Sequence, residues 1–375
     1  MKFVIITHVQ HIKNHEDFYG YAPYIREMNI WLQHVDEVFI VAPLVEKELN
    51  PIHEKYRHSK ITFNKVPEFN ITSFSNIFIT VFRLPMIFIA VYKAMSKADH
   101  IHLRCPGNMG LIGAFVQILF PKKPKTAKYA GNWDPNAKQP LTYKLQRWIL
   151  SNTFLTKNMQ VLVYGDWENQ TKNIKPFFTA TYSESEIQSA KCKVRSVEEE
   201  TLKFLFVGTL SKGKQPLYVI QLVEEFQKLG KKVSLDLYGE GILRGNLEQY
   251  ISKNNLEAIV TLKGNQSKEN VLKAYQTNHF LILPSKSEGW PKVVAEAMFW
   301  GCVPVVSKVS CVPYMLGGGT RGVLLSEKFE NDVEQIRNLL SGELKYQKMV
   351  NEGKDWSRQF TTDYFKKEIK KLLDN

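Results

Sequence analysis

Short β-branched or apolar runs alternate with longer helical patterns along nearly the whole of this 375-residue chain. In the first half the runs fall at residues 3–7, 37–42, 61–66, 100–103, 126–130 and 161–164, with helix-like segments at 22–33, 77–94 and 141–150. Neighbouring parallel strands need a crossover connection, usually a helix, so this order predicts a parallel sheet covered on both faces. The pattern starts again at residue 202. Runs at 202–207, 233–238, 260–263, 280–283, 303–306 and 322–325 alternate with helices at 217–229, 243–254, 268–276 and 292–300. Gly230 and Gly301 stand just past two of these helices, and Pro291 stands just inside the start of the last. A chain this long exceeds one typical core, so the expectation is an α/β protein of two doubly wound domains, at 1–190 and 200–350. The polar, acid-rich stretch 183–200 is read as the end of the first domain and the link. Residues 355–373 read as one helical tail carrying Lys366, Lys367, Lys370 and Lys371.

Several classes are disfavoured. The four cysteines, Cys105, Cys192, Cys302 and Cys311, form no C-x-x-C pair and read as reduced thiols of a cytoplasmic protein. The N-terminus lacks the apolar stretch of a signal peptide. The most apolar segment, 77–92, is interrupted by Arg83 and Pro85 and falls short of the ~20 residues a spanning helix needs. No Gly-x-Gly-x-x-Gly follows a strand, which argues against a dehydrogenase. The net charge of +13 implies attraction to polyanions. Its lysines and arginines are dispersed, with no zinc-ligand spacing and no RNP-like run, so a nucleic-acid-binding protein is the weaker reading.

Ligands of doubly wound sheets bind at the carboxyl ends of the strands, which points to the loops 208–216, 239–241, 264–267 and 284–291. The first, Gly208-Thr209-Leu210-Ser211-Lys212-Gly213-Lys214-Gln215-Pro216, joins a strand to a helix. Its glycines permit close backbone approach, the helix N-terminus offers unpaired N–H groups, and Lys214 offers a point charge for a phosphate. Alternatively it is an ordinary turn with solvated lysines. In the second, Glu288 sits in the loop and Glu296 eight residues on, inside the apolar run Val293-Val294-Ala295-Glu296-Ala297-Met298. A carboxylate accepts on two oxygens and suits a pair of vicinal hydroxyls such as those of a ribose. Buried in an apolar helix, it needs partners. The structural alternative is a loop cap or a pair with Lys292.

From Glu288 to Met298 the chain resembles the E-x7-E motif of the family 4 glycosyltransferases, in the form S-E-G-x-P-x-x-x-x-E-A-M. The resemblance extends over most of 202–325 and includes the loop at 208–214, the Tyr238-Gly239-Glu240-Gly241 turn, Leu283-Pro284-Ser285 and 301–306. It implies a GT-B fold, two Rossmann-like domains facing a cleft, with the C-terminal helix of 355–375 returning to the first domain. It implies transfer of a sugar from a nucleoside-diphosphate sugar, UDP-sugar by preference, with retention. Glu288 would face the donor sugar, Glu296 would hold the ribose, and Lys214 with backbone groups near Gly289 and Trp290 would hold the diphosphate. Gly208, Thr209, Gly239 and Gly264 complete the expected donor site, with Glu288 and Lys214 as its catalytic pair. Where the family often has an Arg, this chain has Thr209; Lys212 and Lys292 are the candidate replacements. No Asp-x-Asp occurs, so no metal or other cofactor is expected. A sugar-nucleotide epimerase of the same architecture is the alternative enzyme.

The acceptor, a saccharide or a lipid-linked saccharide in glycan or polysaccharide biosynthesis, is expected on the first domain. The candidates are His11, Arg104, Asn132, Trp133 and Asp134, with His8, Gln10, Asn108, Asp166 and Trp167 at further strand ends. The segment 77–92 with Lys93, Lys97, Lys122, Lys123 and Lys125 reads either as a surface helix touching anionic lipid or as a buried helix of the domain. The need of a doubly wound sheet for apolar helices favours the second.

Overall fold

The computed structural model describes residues 1–50, 52–68, 74–189, 195–326 and 328–374, which leaves Cys192 and part of the expected link outside the description, along with the side chains of 74–81 and 188–189. The chain divides into two compact units, Met1–Phe178 with Phe365–Asn375, and Thr179–Tyr364. Residues 183–189 and 195–200, read from the sequence as the link, group with the second unit. There Arg195 is buried and donates to the carbonyl of Gly301 at 2.5 Å, and Ser196 donates to Glu343 at 2.8 Å.

The first unit contains β1 (Lys2–Ile6), β2 (His11–Asn14), β3 (Asp17–Tyr21), α1 (Ala22–Trp31), β4 (Glu37–Pro43), β5 (His53–Lys55), β6 (Ile61–Val66) and α2 (Phe74–Lys97). After these come β7 (His100–Cys105), α3 (Asn108–Val116), β8 (Lys125–Tyr129), α4 (Leu141–Ser151), β9 (Met159–Tyr164) and β10 (Ile174–Phe177). Seven strands form one parallel sheet in the order β10-β9-β8-β7-β1-β4-β6. Its central strands are buried on both faces, and β1 reads accordingly as an unbroken apolar run from Phe3 to Ile6.

One face packs Val4, Ile6, Leu103, Ala127 and Val161 against Ile87, Val91 and Met95 of α2, Ile112 of α3 and Leu150 of α4. Helices α2, α3 and α4 therefore share one side of the sheet. Helix α3 escaped the sequence reading because Asn108-Met109-Gly110 looks like a turn. A Cβ on Gly110 would lie 2.6 Å from the Arg104 carbonyl oxygen, so the glycine lets the helix lie against β7. Strands β2, β3 and β5 also escaped it; they are three to five residues long, partly polar, and form a small antiparallel sheet.

The second unit runs α5 (Glu184–Ser189), β11 (Leu202–Val207), α6 (Pro216–Lys228), β12 (Val233–Tyr238), α7 (Arg244–Lys253), β13 (Val260–Gly264), α8 (Lys268–Thr277) and β14 (Phe280–Leu283). It continues with α9 (Lys292–Phe299), β15 (Val303–Ser307), α10 (Val312–Met315), β16 (Val323–Leu325), α11 (Phe329–Leu340) and α12 (Glu343–Ser357). Its six strands are parallel in the order β13-β12-β11-β14-β15-β16. The order reverses between β11 and β14, the switch point at which ligands of such sheets bind.

The expected single tail helix is two. Helix α12 ends at Ser357, and α13 (Thr362–Asp374) starts afresh, with the Thr361 hydroxyl accepting from the Tyr364 amide at 3.1 Å as an N-cap. Phe365 then packs in the first unit on Phe177 and Phe178. The buried Lys128 donates to the Phe178 carbonyl at 2.7 Å and lies 4.4 Å from the Phe177 ring centre and 5.6 Å from that of Phe365. Among the described residues no helix is long and apolar enough to cross a membrane.

The other face of the first sheet buries histidines. His100 Nε2 and His102 Nδ1 share the Thr126 hydroxyl at 3.0 and 2.9 Å. A hydroxyl has one proton to give, so it can donate to one of the two rings at most, and the other ring must donate to it. Burial pulls the pKa of His100 down to about 4 and that of His102 to about 3, and burial likewise holds His11 at about 4. In the unfolded chain these groups titrate near 6.5. Between the two values the unfolded state binds more protons, so stability is full above about pH 6.5 and is lost as pH falls toward 4. Three such groups give a slope of about 4 kcal/mol per pH unit near pH 5. Urea unfolding of the first unit between pH 7 and 5 should show it, and His102→Asn should remove about a third of the slope.

Candidate functional site

Strands β11 and β14 are neighbours, so the loops that leave their carboxyl ends meet. The Lys286 amide donates to the Gly213 carbonyl at 2.9 Å, and the Gln215 side chain donates to the Pro284 carbonyl. Within the first loop the amides of Lys214 and Gln215 both donate to the Ser211 carbonyl at 3.1 Å. Gln215 takes a left-handed φ of 52° as the cap of α6, and Pro216 follows in the first turn. This tight winding aims the Lys214 ammonium at Glu288, with which it forms an ion pair. The Glu288 side chain is only 9% exposed, and the ion pair offsets the cost of enclosing it.

The glycines expected to serve a ligand mostly serve the loops themselves. The Gly208 amide donates to the Tyr238 carbonyl at 2.9 Å, and the Gly239 amide to the Gly264 carbonyl at 2.8 Å, so the ends of β11, β12 and β13 are tied in a row. Gly239 has φ 136°, and a Cβ there would fall 2.0 Å from the Gly208 carbonyl oxygen. Gly264, at φ 69°, faces the Glu240 carboxylate. Thr209 is exposed, and its carbonyl accepts from the Ser211 amide at 2.8 Å.

Beyond Glu288 the loop is anchored on both sides. The Gly289 carbonyl accepts from the Cys311 thiol at 3.0 Å; burial pushes that thiol's pKa up to about 12, which keeps it a donor. The Trp290 ring is buried, stacked on Trp356 at 6.0 Å and edge-on to Phe360 at 5.8 Å. Trp290 therefore enters the site through its backbone, and its side chain is core. Pro291 is the N-cap of α9 rather than its first residue, and helix α9 carries Glu296 one turn in.

Two hydroxyls hold the Glu296 carboxylate. Its Oε1 accepts from the Thr181 hydroxyl at 2.7 Å and its Oε2 from the Tyr275 hydroxyl at 3.0 Å. Tyr275 is fully buried, and burial together with the Glu296 charge raises its pKa well above the usual phenol value, which keeps it protonated. Each carboxylate oxygen has one acceptor position left. Thr181, Glu296 and Lys292 line a shallow pocket in the second unit. The two partner hydroxyls were missed in the sequence; the apolar helix signalled that partners were needed but not which.

The first unit's candidates fare less evenly. Trp133 is 1% exposed, edge-on to Tyr129 at 4.7 Å, and donates to Gln170 at 2.9 Å; it is a core side chain and not a platform for a sugar ring. Asn132 and Asp134 spend a side-chain oxygen on the amides two residues on, each at 2.8 Å, forming the turn around it. His11 is fully buried, stacked on Tyr56 and bonded to its hydroxyl at 3.0 Å, and is likewise structural. Arg104 is half-buried, 5.4 Å from the Tyr24 ring centre and 3.8 Å from Glu27. It lies at the carboxyl end of β7, beside β1, which is the switch point of this sheet. There His8 abuts Gly107, and burial first, then the Arg104 charge, lowers its pKa to about 4. Among the described residues no group of three or more His, Cys, Asp or Glu is placed to hold a metal ion.

Two parallel Rossmann-like units of this kind define the GT-B class of glycosyltransferase folds. Residues 189–356 match the family model described as glycosyl transferases group 1. A protein of Methanocaldococcus jannaschii described as an uncharacterized glycosyltransferase is 26% identical over 171 residues, 45% of this chain; the match spans 47% of that relative, about half its length. An uncharacterized 41.2 kDa protein in the cps region of Klebsiella pneumoniae is 23% identical over 316 residues, 79% of this chain and 83% of the relative. The structure of HepE from Anabaena in complex with UDP and glucose has a TM-score of 0.69 at 14% identity, covering all of both chains, a likeness of fold.

The loop packing makes a sharp prediction. Gly239→Ala should destabilise the second unit by about 2 kcal/mol or more, because the methyl group has nowhere to go. Gly213→Ala, with nothing within 4 Å of the added Cβ, should stay within about 0.5 kcal/mol of wild type. Urea unfolding of the two variants checks both.

Proposed function

We propose that the chain transfers a sugar from a nucleoside-diphosphate sugar, UDP-sugar by preference, to a saccharide or lipid-linked saccharide, with retention at the anomeric carbon and without a metal. The observation that carries this reading is the Lys214–Glu288 pair at the switch point of the second sheet. Breaking the bond between a sugar and a diphosphate builds negative charge on the leaving group and positive charge at the anomeric carbon. Lys214 and the N-terminus of α6 supply fixed positive charge for the first, and Glu288 supplies a carboxylate for the sugar. Glu296, with one acceptor position open on each oxygen, takes the ribose hydroxyls. The backbone of Gly289 and Trp290, held by Cys311 and by the Trp356 stack, completes the diphosphate cradle together with the loops at Gly208, Thr209, Gly239 and Gly264.

The UDP and glucose bound to the structural relative HepE support the choice of donor, and the cps-region relative supports a role in polysaccharide biosynthesis. Arg104, at the switch point of the first sheet, is the acceptor-side residue we retain. A cytoplasmic location agrees with Cys105, Cys302 and Cys311 being buried free thiols.

Glu296→Gln should weaken UDP binding about ten-fold or more in calorimetry, as a charged acceptor is worth about 1.5–3 kcal/mol. An unchanged affinity removes Glu296 from the ribose. Glu288→Gln should lower turnover about a hundred-fold while UDP affinity stays within about three-fold; wild-type turnover would remove it from the reacting centre. Activity should survive EDTA, and its abolition overturns the metal-free part of the proposal. Product anomers read by NMR decide retention.

A further inference from the structure

The outward faces of α2, α3 and α4 are apolar where a soluble protein is usually polar. On α2 the buried stripe runs through Ile87, Val91, Ala94 and Met95. The opposite stripe is Phe82, Met86 and Ile89, 71%, 54% and 51% exposed, at the i, i+4, i+7 spacing of one helix face. Helix α4 repeats the arrangement with Leu141, Leu145 and Trp148, the last 60% exposed. Helix α3 packs against both and bridges them with the exposed Phe115. All three helices cover the same side of the sheet, so these stripes belong to one surface, and a connected apolar surface of this kind marks a contact site.

Charge identifies the occupant. The sequences of α2, α3 and α4 contain no Asp or Glu. Lys93, Lys97 and Lys144 stand exposed on them, and the exposed Lys157 rests 5.1 Å from the Phe154 ring centre, itself 75% exposed. Lys123 and Lys125, which from sequence belong to the same cluster, do other work: Lys123 donates to the carbonyls of Met95, Ser96 and Ala98 at the end of α2, and Lys125 is buried on the Phe120 carbonyl. We infer that this face docks in the plane of an anionic lipid bilayer, its aromatic and aliphatic side chains entering the headgroup boundary and its lysines meeting lipid phosphates. The inference uses the first unit alone and is independent of the donor-site reading.

Sedimentation with vesicles tests it. The full chain should bind vesicles of phosphatidylcholine with phosphatidylglycerol and bind pure phosphatidylcholine at least about ten-fold more weakly. The double variant Ile89→Glu with Trp148→Glu should lose about ten-fold or more of the binding, with UDP affinity and circular dichroism unchanged because all altered side chains are exposed. Lys93→Glu with Lys144→Glu, which leaves the apolar stripes intact, should lose binding and salt sensitivity together. Absence of binding to the anionic vesicles, or equal binding by the first variant, overturns the proposal. So does a dimer in sedimentation velocity that the first variant abolishes, since the face would then be a protein interface.

Discussion

Enclosing a carboxylate as deeply as that of Glu288 is costly unless a cation pairs with it, and the loop layer of the second unit is arranged around that pairing. Lys214 reaches it because Gln215 turns left-handed before Pro216 and because the Ser211 carbonyl takes two successive amides. The loop can wind so tightly because Gly239 admits the Gly208 carbonyl at a distance no side chain tolerates. From the other side, Trp290 and the Gly289 carbonyl fix the peptide that follows Glu288. Removing any of these leaves the same fold with a buried carboxylate and no nearby positive charge, which is costlier than losing a surface pair.

Glu296 solves a related problem differently. It is held by two hydroxyls, from Thr181 and Tyr275. Neither hydroxyl brings a positive charge, and each leaves one acceptor position on the oxygen it bonds. The two carboxylates are thus held in different ways. Glu288 is held in a local ion pair beside the strand ends, and Glu296 is an acceptor poised on a helix.

What the sequence disclosed follows from burial. Strands β6, β11, β12 and β14 were readable to the residue: β14 is buried and apolar throughout, and β12 alternates buried with half-buried residues at the period of a strand. The antiparallel strands β2, β3 and β5 are short and partly polar, and the Gly110 contact that makes α3 a packed helix exists only in three dimensions. The same holds in the site. Lys214, Glu288 and Glu296 were visible as residue types at strand ends, but Thr181 lies 115 positions from Glu296 along the chain. Trp133 and His11 were misread in the opposite direction. An aromatic or imidazole after a strand suggests a surface loop, and here each is pulled inward, with Gln170 and Tyr56 accepting or sharing the polar end.

The first unit places its polar and apolar groups against the usual gradient, and the two halves of that inversion are not equivalent. Inside, His100, His102, Lys125 and Lys128 each have a hydroxyl, a carbonyl or an aromatic face, so their burial is compensated locally. Burial still lowers the Lys125 pKa to about 8, a sign of how far the interior disfavours its charge. Outside, Met86, Ile89 and Trp148 are more than half exposed. Replacing them with polar residues would leave the core stripe of Ile87, Val91 and Met95 untouched, so folding gives no reason for their apolar character. The free energy they hold is released only on contact with another apolar phase, and the basic rim with no acidic residue on the three helices selects a phase whose boundary is anionic.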